Sequence, residues 1–166
     1  MLKIEIRQGT EKDATLITGL IKNMVDEMAQ YGGHAVNHSQ EIWSSMEALV
    51  KANIACKEYL YLIASQELPV STTIGLAAAN IELLENIFVA KMRLHLSAIY
   101  TVPNMRRQGV ARQLIQNVLE WGQHMNAVEA DLNVLVPNPA RRLYENLGFE
   151  PHEISLVKKL SSDLSK

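Results

Sequence analysis

The chain reads as a mixed α/β (α+β) fold, a central mixed sheet with helices packed on it. Three observations lead there. Apolar residues alternate in some segments and recur every three to four positions in others, giving the order β-α-α-β-β-β-α-β-α-β. A basic, glycine-bearing turn, Arg106-Arg107-Gln108-Gly109-Val110-Ala111, joins a strand to a helix. No stretch reads as a linker, a repeat or low complexity, so residues 1–166 are expected to form a single domain.

Lys3 to Arg7 is the first strand. Thr10 then suits an N-cap, with Asp13 three positions on, and Ala14, Ile17, Ile21, Met24 and Met28 keep helical spacing up to Gly32-Gly33. After a loop from His34 to Ser39, Glu41 to about Cys56 reads as a second helix with Ile42, Met46, Leu49 and Val50 inward. Tyr59 to Ala64 and Thr73 to Glu82 read as strands, separated by a turn containing Pro69. Leu83 to Ala90 is a connection of either type. Met92, Leu94, Leu96 and Ala98 alternate with Arg93, His95, Ser97 and Ile99, so Leu94 to Val102 is a strand. Val110 to His124 is a helix burying Val110, Leu114, Val118 and Trp121. Asp131 to Val136 is a further strand, Asn138-Pro139 opens a short helix ending at Gly148, and a last strand runs from about Phe149 to Leu160.

Composition narrows the function. With 48% hydrophobic and 20% charged residues the chain has the make-up of a soluble globular protein. A net charge of -2 argues against broad nucleic-acid binding, which needs a basic face. Cys56 is the one cysteine, which excludes an internal disulfide and a multi-cysteine metal site and suits a plain buried thiol. No metal ligation is expected. The opening Met1-Leu2-Lys3-Ile4-Glu5 lacks the apolar run of a signal peptide, and no stretch is long enough to cross a membrane, so a cytoplasmic location is expected.

Between Glu85 and Glu120 there is no acidic residue, while Lys91, Arg93, Arg106, Arg107 and Arg112 are basic. A turn entering a helix leaves several N–H groups without intrahelical partners, and together with the helix dipole they suit a phosphate or pyrophosphate. Gly109 removes a side chain where such a ligand would approach. An ordinary helix start carrying only water has the same outline.

The turn matches the pattern (Arg or Gln)-x-x-Gly-x-(Gly or Ala), and in this the chain resembles the GNAT-type N-acetyltransferase superfamily. Ile4-x-Ile6-Arg7-x-x-Thr10-x-x-Asp13 is similar to that superfamily's opening, and Leu143-Tyr144-Glu145-Asn146-Leu147-Gly148-Phe149 is similar to its C-terminal motif. The element order also agrees, so the resemblance covers nearly the whole chain. It implies transfer of an acetyl group from acetyl-CoA to a small-molecule or peptide amine, on a sheet splayed at the cofactor site with helices on both faces. The backbone amides of Arg107, Gln108, Gly109, Val110, Ala111 and Arg112 would hold the CoA pyrophosphate. Ile99, Tyr100, Thr101 and Val102 would line one side of the splay and Asp131 to Val136 the other, with a backbone N–H near Ile99 or Tyr100 as oxyanion donor.

Tyr144 would be the general acid. Its hydroxyl, with an ordinary pKa of about 10, stays protonated at neutral pH and can supply a thiolate of pKa about 8.5. The stripe Ala140, Leu143, Tyr144, Leu147 also suits a core tyrosine with a polar tip. His95 stands where relatives carry a glutamate base, with Glu82 on the neighbouring strand as a second candidate; an enzyme could also take the neutral fraction of its amine without a base. Asn138 suits CoA contact, although its spacing to Tyr144 is one residue shorter than in relatives, and equally a helix cap. The acceptor site would lie where the first two helices meet the sheet, with Tyr31-Gly32-Gly33-His34 as its mouth and no acidic cluster there to announce a cationic substrate. A non-catalytic acyl-CoA-binding or sensing module and a nucleotide-binding α/β protein stay open as alternatives. So does a homodimer, in which the C-terminal strand exchanges or pairs between subunits.

Overall fold

The computed structural model describes residues 3–66, 71–84 and 91–158. Strand β1 (Ile4–Gln8) leads through a 3-10 turn (Glu11–Asp13) into α1 (Ala14–Ala29) and then α2 (Gln40–Ile54). Strands β2 (Tyr59–Gln66), β3 (Thr72–Leu84) and β4 (Lys91–Thr101) follow, then a 3-10 turn (Pro103–Met105), α3 (Val110–His124), β5 (Glu129–Leu132) and α4 (Arg141–Glu145). The five strands form one sheet in the order β1-β2-β3-β4-β5. The first four are antiparallel to their neighbours, and β5 joins β4 in parallel.

Alternation along the strands gives the sheet two apolar faces. Ile74, Ala77, Leu94 and Leu96 meet Val110, Leu114, Ile115 and Val118 of α3 on one face. Leu76, Ala78, Ala98 and Tyr100 meet Ala14, Ile17 and Leu20 of α1 and Val50 of α2 on the other. Gly75 lets α3 lie close: a Cβ there would sit 3.0 Å from Tyr100 O and from Val110 Cγ1. At the opposite corner Arg7 Nη2 pairs with Asp13 Oδ1 at 2.7 Å, and Asp13 Oδ2 accepts from the N–H and hydroxyl of Thr10 at 2.8 Å each. That clamp fixes the entry into α1.

The pairing of β3 with β4 slips by one residue between Ala78 and Ala79, leaving Ser97 as the extra residue of a bulge in β4. Pairing of β4 with β5 ends at Leu96↔Leu132. Beyond that point the two segments have no shared ladder, which opens the splay. The fifth strand is therefore Glu129–Leu132 and not Asp131 to Val136, because among the described residues 133–136 have no neighbouring strand to bond.

Other expectations are corrected. The inner face of α2 is Trp43, Met46, Glu47, Val50, Asn53 and Ile54, with Val50 1% exposed while Ile42 and Leu49 are 47% and 53% exposed. Polar residues take inward positions because they find partners there: Trp43 Nε1 donates to Asn37 O at 3.0 Å and Asn53 Nδ2 to Tyr61 Oη at 3.2 Å. Residues 150–158 form no strand and are exposed; a strand needs a paired edge, and this segment pairs with none among the described residues. The remainder of that expected strand, 159–160, and the connection at 85–90 lie outside the described residues. Cys56 is exposed, not buried.

Candidate active site

The turn between β4 and α3 is shaped by two left-handed residues. Gly109 has φ +85 and Arg107, which lacks glycine's freedom, has φ +60. A non-glycine residue held there costs roughly 1–3 kcal/mol. Alternation of left-handed residues with others is the backbone pattern from which anion-binding nests are built, and this turn has left-handed residues on either side of Gln108. The first amide of α3 to find a backbone acceptor is that of Gln113, on Gly109 O at 3.0 Å. Among the described residues the N–H groups of 107–112 donate to no backbone carbonyl, which suits them to an anion.

The basic block around this turn is less uniform than its sequence. Arg106 turns away from the turn: its Nε donates to Thr101 O at 3.1 Å and its Nη2 pairs with Glu27. Lys91 pairs with Glu129 at 2.6 Å, and Arg93 with Glu82 at 2.7 Å and Asp131 at 3.3 Å. Arg107 and Arg112 have no ion-pair partner among the described residues, so the local positive charge concentrates on the turn and the first helical turn.

Ile99, Tyr100 and Thr101 pair with Ala77, Leu76 and Gly75 of β3, so the β4 edge turned toward 133–136 lacks a strand partner among the described residues. Val102 leaves the sheet, donating its N–H to Ile74 O at 3.0 Å. Tyr144, on α4, packs against the α3-side core and meets Phe149 edge-on, ring centroids 6.2 Å apart. Burial pushes its hydroxyl above the ordinary tyrosine value, which keeps it protonated at neutral pH. Asn138 caps its own turn, its Oδ1 accepting from Ala140 N–H at 2.9 Å.

His95 faces the α1/α2 side of the sheet. Its Nδ1 lies 2.8 Å from Asp131 Oδ1, across the last paired rungs of β4 and β5. A carboxylate there assigns the proton to Nδ1 and leaves Nε2 as an acceptor. Asp131 also meets Arg93, which in turn holds the Glu82 carboxyl below its ordinary range with help from Asn80. A carboxylate so held is a weak proton acceptor, which leaves Glu82 poorly suited as a base. Asp131 was read as a wall of the splay; its pairing with His95 has no sequence signal, since 36 residues separate them.

A cavity of about 400 Å³ opens where the end of α1 meets the end of β4. Asp26, Glu27 and Tyr31 form one wall, Tyr100, Pro103 and Arg106 another. Tyr31 of the Tyr31-Gly32-Gly33-His34 loop lines this cavity, whereas His34 is exposed and does not. The two carboxylates carry no local signal for this position, because they belong to the last turns of α1 and precede the loop at 31–34. Among the described residues no cluster of His, Cys, Asp or Glu could hold a metal ion, and no helix is long and apolar enough to cross a membrane.

Comparison with known structures returns this architecture. An aminoglycoside N-acetyltransferase in complex with CoA superposes with a TM-score of 0.72 at 22% identity, covering 97% of each chain. A Clostridium acetobutylicum protein described as a predicted acetyltransferase, with acetyl-CoA, gives 0.75 at 18% identity over 95% of this chain and 97% of that one. A tetramutant of a Bacillus halodurans protein gives 0.79 at 16% identity over 94% and 99%. Identities this low establish the fold. No curated protein sequence matches the chain significantly. The sequence profile of the acetyltransferase (GNAT) family matches residues 37–149, a span that contains the left-handed turn, the splay and Tyr144, and the chain belongs to that family.

Proposed function

We propose that the chain is an N-acetyltransferase that moves the acetyl group of acetyl-CoA onto a primary amine by direct attack in a ternary complex. The observation that carries this is the left-handed turn at Arg107 and Gly109, which follows directly on the strand whose pairing with β5 ends at Leu96. Amides of 107–112 would take the pyrophosphate, Arg107 and Arg112 would add charge, and the open β4 edge would receive the pantetheine amides. Asn138 would face the same arm, although its Oδ1 is already engaged.

Acetyl-CoA supplies a thioester. A new C–N bond forms as the C–S bond breaks, and the chain's own groups handle charge and protons. A backbone N–H at Ile99 or Tyr100 donates to the developing oxyanion. The Tyr144 hydroxyl gives its proton to the departing thiolate. His95 Nε2 takes the proton released by the amine, and Asp131 stabilises the resulting imidazolium. His95 is four residues from Ile99, about 13 Å along a strand, so this transfer runs through water.

Thermal unfolding with and without excess acetyl-CoA tests the reading, with ATP as control. Ligand at a hundred times its dissociation constant adds about 2.7 kcal/mol. A midpoint rise of several degrees with acetyl-CoA alone supports the cofactor; no rise, or an equal one with ATP, overturns it. A non-catalytic acyl-CoA-sensing module is favoured by one observation, the engaged state of Glu82, and turnover on any amine would exclude it. The free thiol of Cys56 suits the reducing cytoplasm proposed as its location. A homodimer belongs to the same proposal, supported by Ile154 and Leu156, 85% and 90% exposed beyond α4. Light scattering on the full chain and on a form ending at Glu150 would show loss of the dimer on truncation.

A further inference from the structure

Arg106 stands where β4, the left-handed turn and α1 meet. Val102 donates its N–H to Ile74 O at 3.0 Å, so the main chain of 100 and 102 faces β3 and that of 99 and 101 faces the open edge. Arg106 Nε donates to the Thr101 carbonyl at 3.1 Å, which caps the last acceptor of that edge. Its Nη2 pairs with Glu27 in the last turn of α1. The intervening loop is tied as well, by Met105 N–H on Val102 O at 2.9 Å and Arg106 N–H on Pro103 O at 3.4 Å. Arg106 itself is extended, with φ -69 and ψ 161, and the residue after it, Arg107, is left-handed. Glycine or asparagine is the ordinary occupant of a left-handed position, and an arginine stays there only where its surroundings leave it no alternative. Arg106, fixed to a sheet edge through one nitrogen and to a helix through another, supplies that constraint. Its charge is meanwhile matched by Glu27.

We propose that Arg106 is a positioning residue for the cofactor: bridging Thr101 O and Glu27, it holds Arg107 left-handed and so presets the turn whose amides would take the pyrophosphate. The identity of the ligand rests on the acetyltransferase reading, whereas the bridge can be measured without one. A turn that is binding-competent only about one-tenth of the time binds about tenfold more weakly, which sets the scale of the effect. Charge alone predicts the opposite sign at one end of the bridge. Removing the Glu27 carboxylate makes the surroundings of the turn more positive, which favours an anion. Cutting the bridge disfavours it.

The test is calorimetric titration of acetyl-CoA into wild type, Glu27→Ala, Arg106→Ala, Arg107→Gly and the double variant Arg106→Ala/Arg107→Gly, with each unfolding midpoint measured in parallel. Arg106→Ala should weaken binding about tenfold, and Glu27→Ala about threefold, since the bond to Thr101 O survives. Glycine adopts positive φ without steric cost, so Arg106→Ala should cost less than about twofold once Arg107→Gly is in place. Tighter or unchanged binding in Glu27→Ala, or the same loss from Arg106→Ala in both backgrounds, overturns the proposal while the acetyltransferase reading stands. A general loss of structure in Arg106→Ala would lower the midpoint in both backgrounds and would not vanish beside glycine, so it too counts against the proposal. If wild type binds no acetyl-CoA, the acetyltransferase reading falls and trypsin decides the bridge on the ligand-free protein. Cleavage after Arg107 should then run at least about threefold faster in Glu27→Ala than in wild type at an unchanged midpoint, because a released turn opens more often. Equal rates overturn the bridge.

Discussion

The two ends of β4 are made of different materials. Past its C-terminal end the surface proposed to hold the cofactor is main chain, the amides of 107–112 in a turn with two left-handed residues. Along the strand and toward α1, the surface is side chain: His95 with Asp131, Tyr100 with Asp26 and Tyr31. The first region needs only a local backbone path and a glycine. The second needs α1, β4 and β5, which lie far apart in sequence, to arrive at the right register. Substitution should therefore separate them, removing chemistry from one without removing cofactor binding from the other.

The largest effect is expected at Tyr144. Tyr144→Phe should lower turnover on a responsive amine by about 10²–10⁴-fold, the usual contribution of a positioned acid, while the acetyl-CoA midpoint shift persists. Unchanged turnover would remove the hydroxyl from the mechanism. Gly109→Val attacks the other material. A β-branched residue at φ +85 should cost about 1–3 kcal/mol of stability and abolish the acetyl-CoA shift. A retained shift would place the anion site elsewhere. A smaller effect is expected at Asp131, a positioning residue. Asp131→Asn should lower kcat about tenfold, or about 1.4 kcal/mol, and leave the KM for acetyl-CoA unchanged, since the Nδ1 contact that orients the His95 ring is weakened while the backbone turn is untouched. A purely structural role would lower acetyl-CoA binding and the unfolding midpoint together with kcat.

The same division explains what could be read in advance. Helix α3 runs from Val110 to His124 as its periodicity predicts, and β1 to β4 start and stop within a few residues of the expected places, because each is specified by a local apolar pattern. The turn was legible from its glycine and its basic residues. Its second left-handed residue was not, since nothing local marks an arginine for positive φ. Nor were the ion pairs that neutralise Lys91, Arg93 and Arg106, whose partners come from β3, β5 and α1. The face of α2 was misjudged because apolar residues alone were counted, whereas Asn53 and Trp43 turn inward to meet polar partners. The last strand failed for a related reason. Alternation at Ile154 and Leu156 supplies a strand pattern, but a strand forms only against an edge.

Acid offers the gentlest way to separate the two regions, because amides do not titrate and carboxylates do. The Arg7 guanidinium, with the Thr10 donors, holds the Asp13 carboxyl well below the usual carboxylate range. Unfolded, Asp13 binds a proton near its ordinary pKa of about 3.9. The unfolded chain thus holds more protons than the folded one below about pH 5, and stability rises with pH across that window. The contribution is fully present above the unfolded value and is lost as pH falls toward the folded one. The clamp fixes the start of α1, which carries Asp26 and Glu27 to the cavity. Acidification from pH 5 to pH 3 should therefore loosen the α1 side first, and amide hydrogen exchange should quicken in 14–29 before it does in 110–124. Arg7→Ala should shift that onset to higher pH and flatten the pH dependence of the unfolding midpoint. If exchange quickens in both helices together at every pH, the two regions unfold as one unit and the clamp is not what holds the α1 side in place.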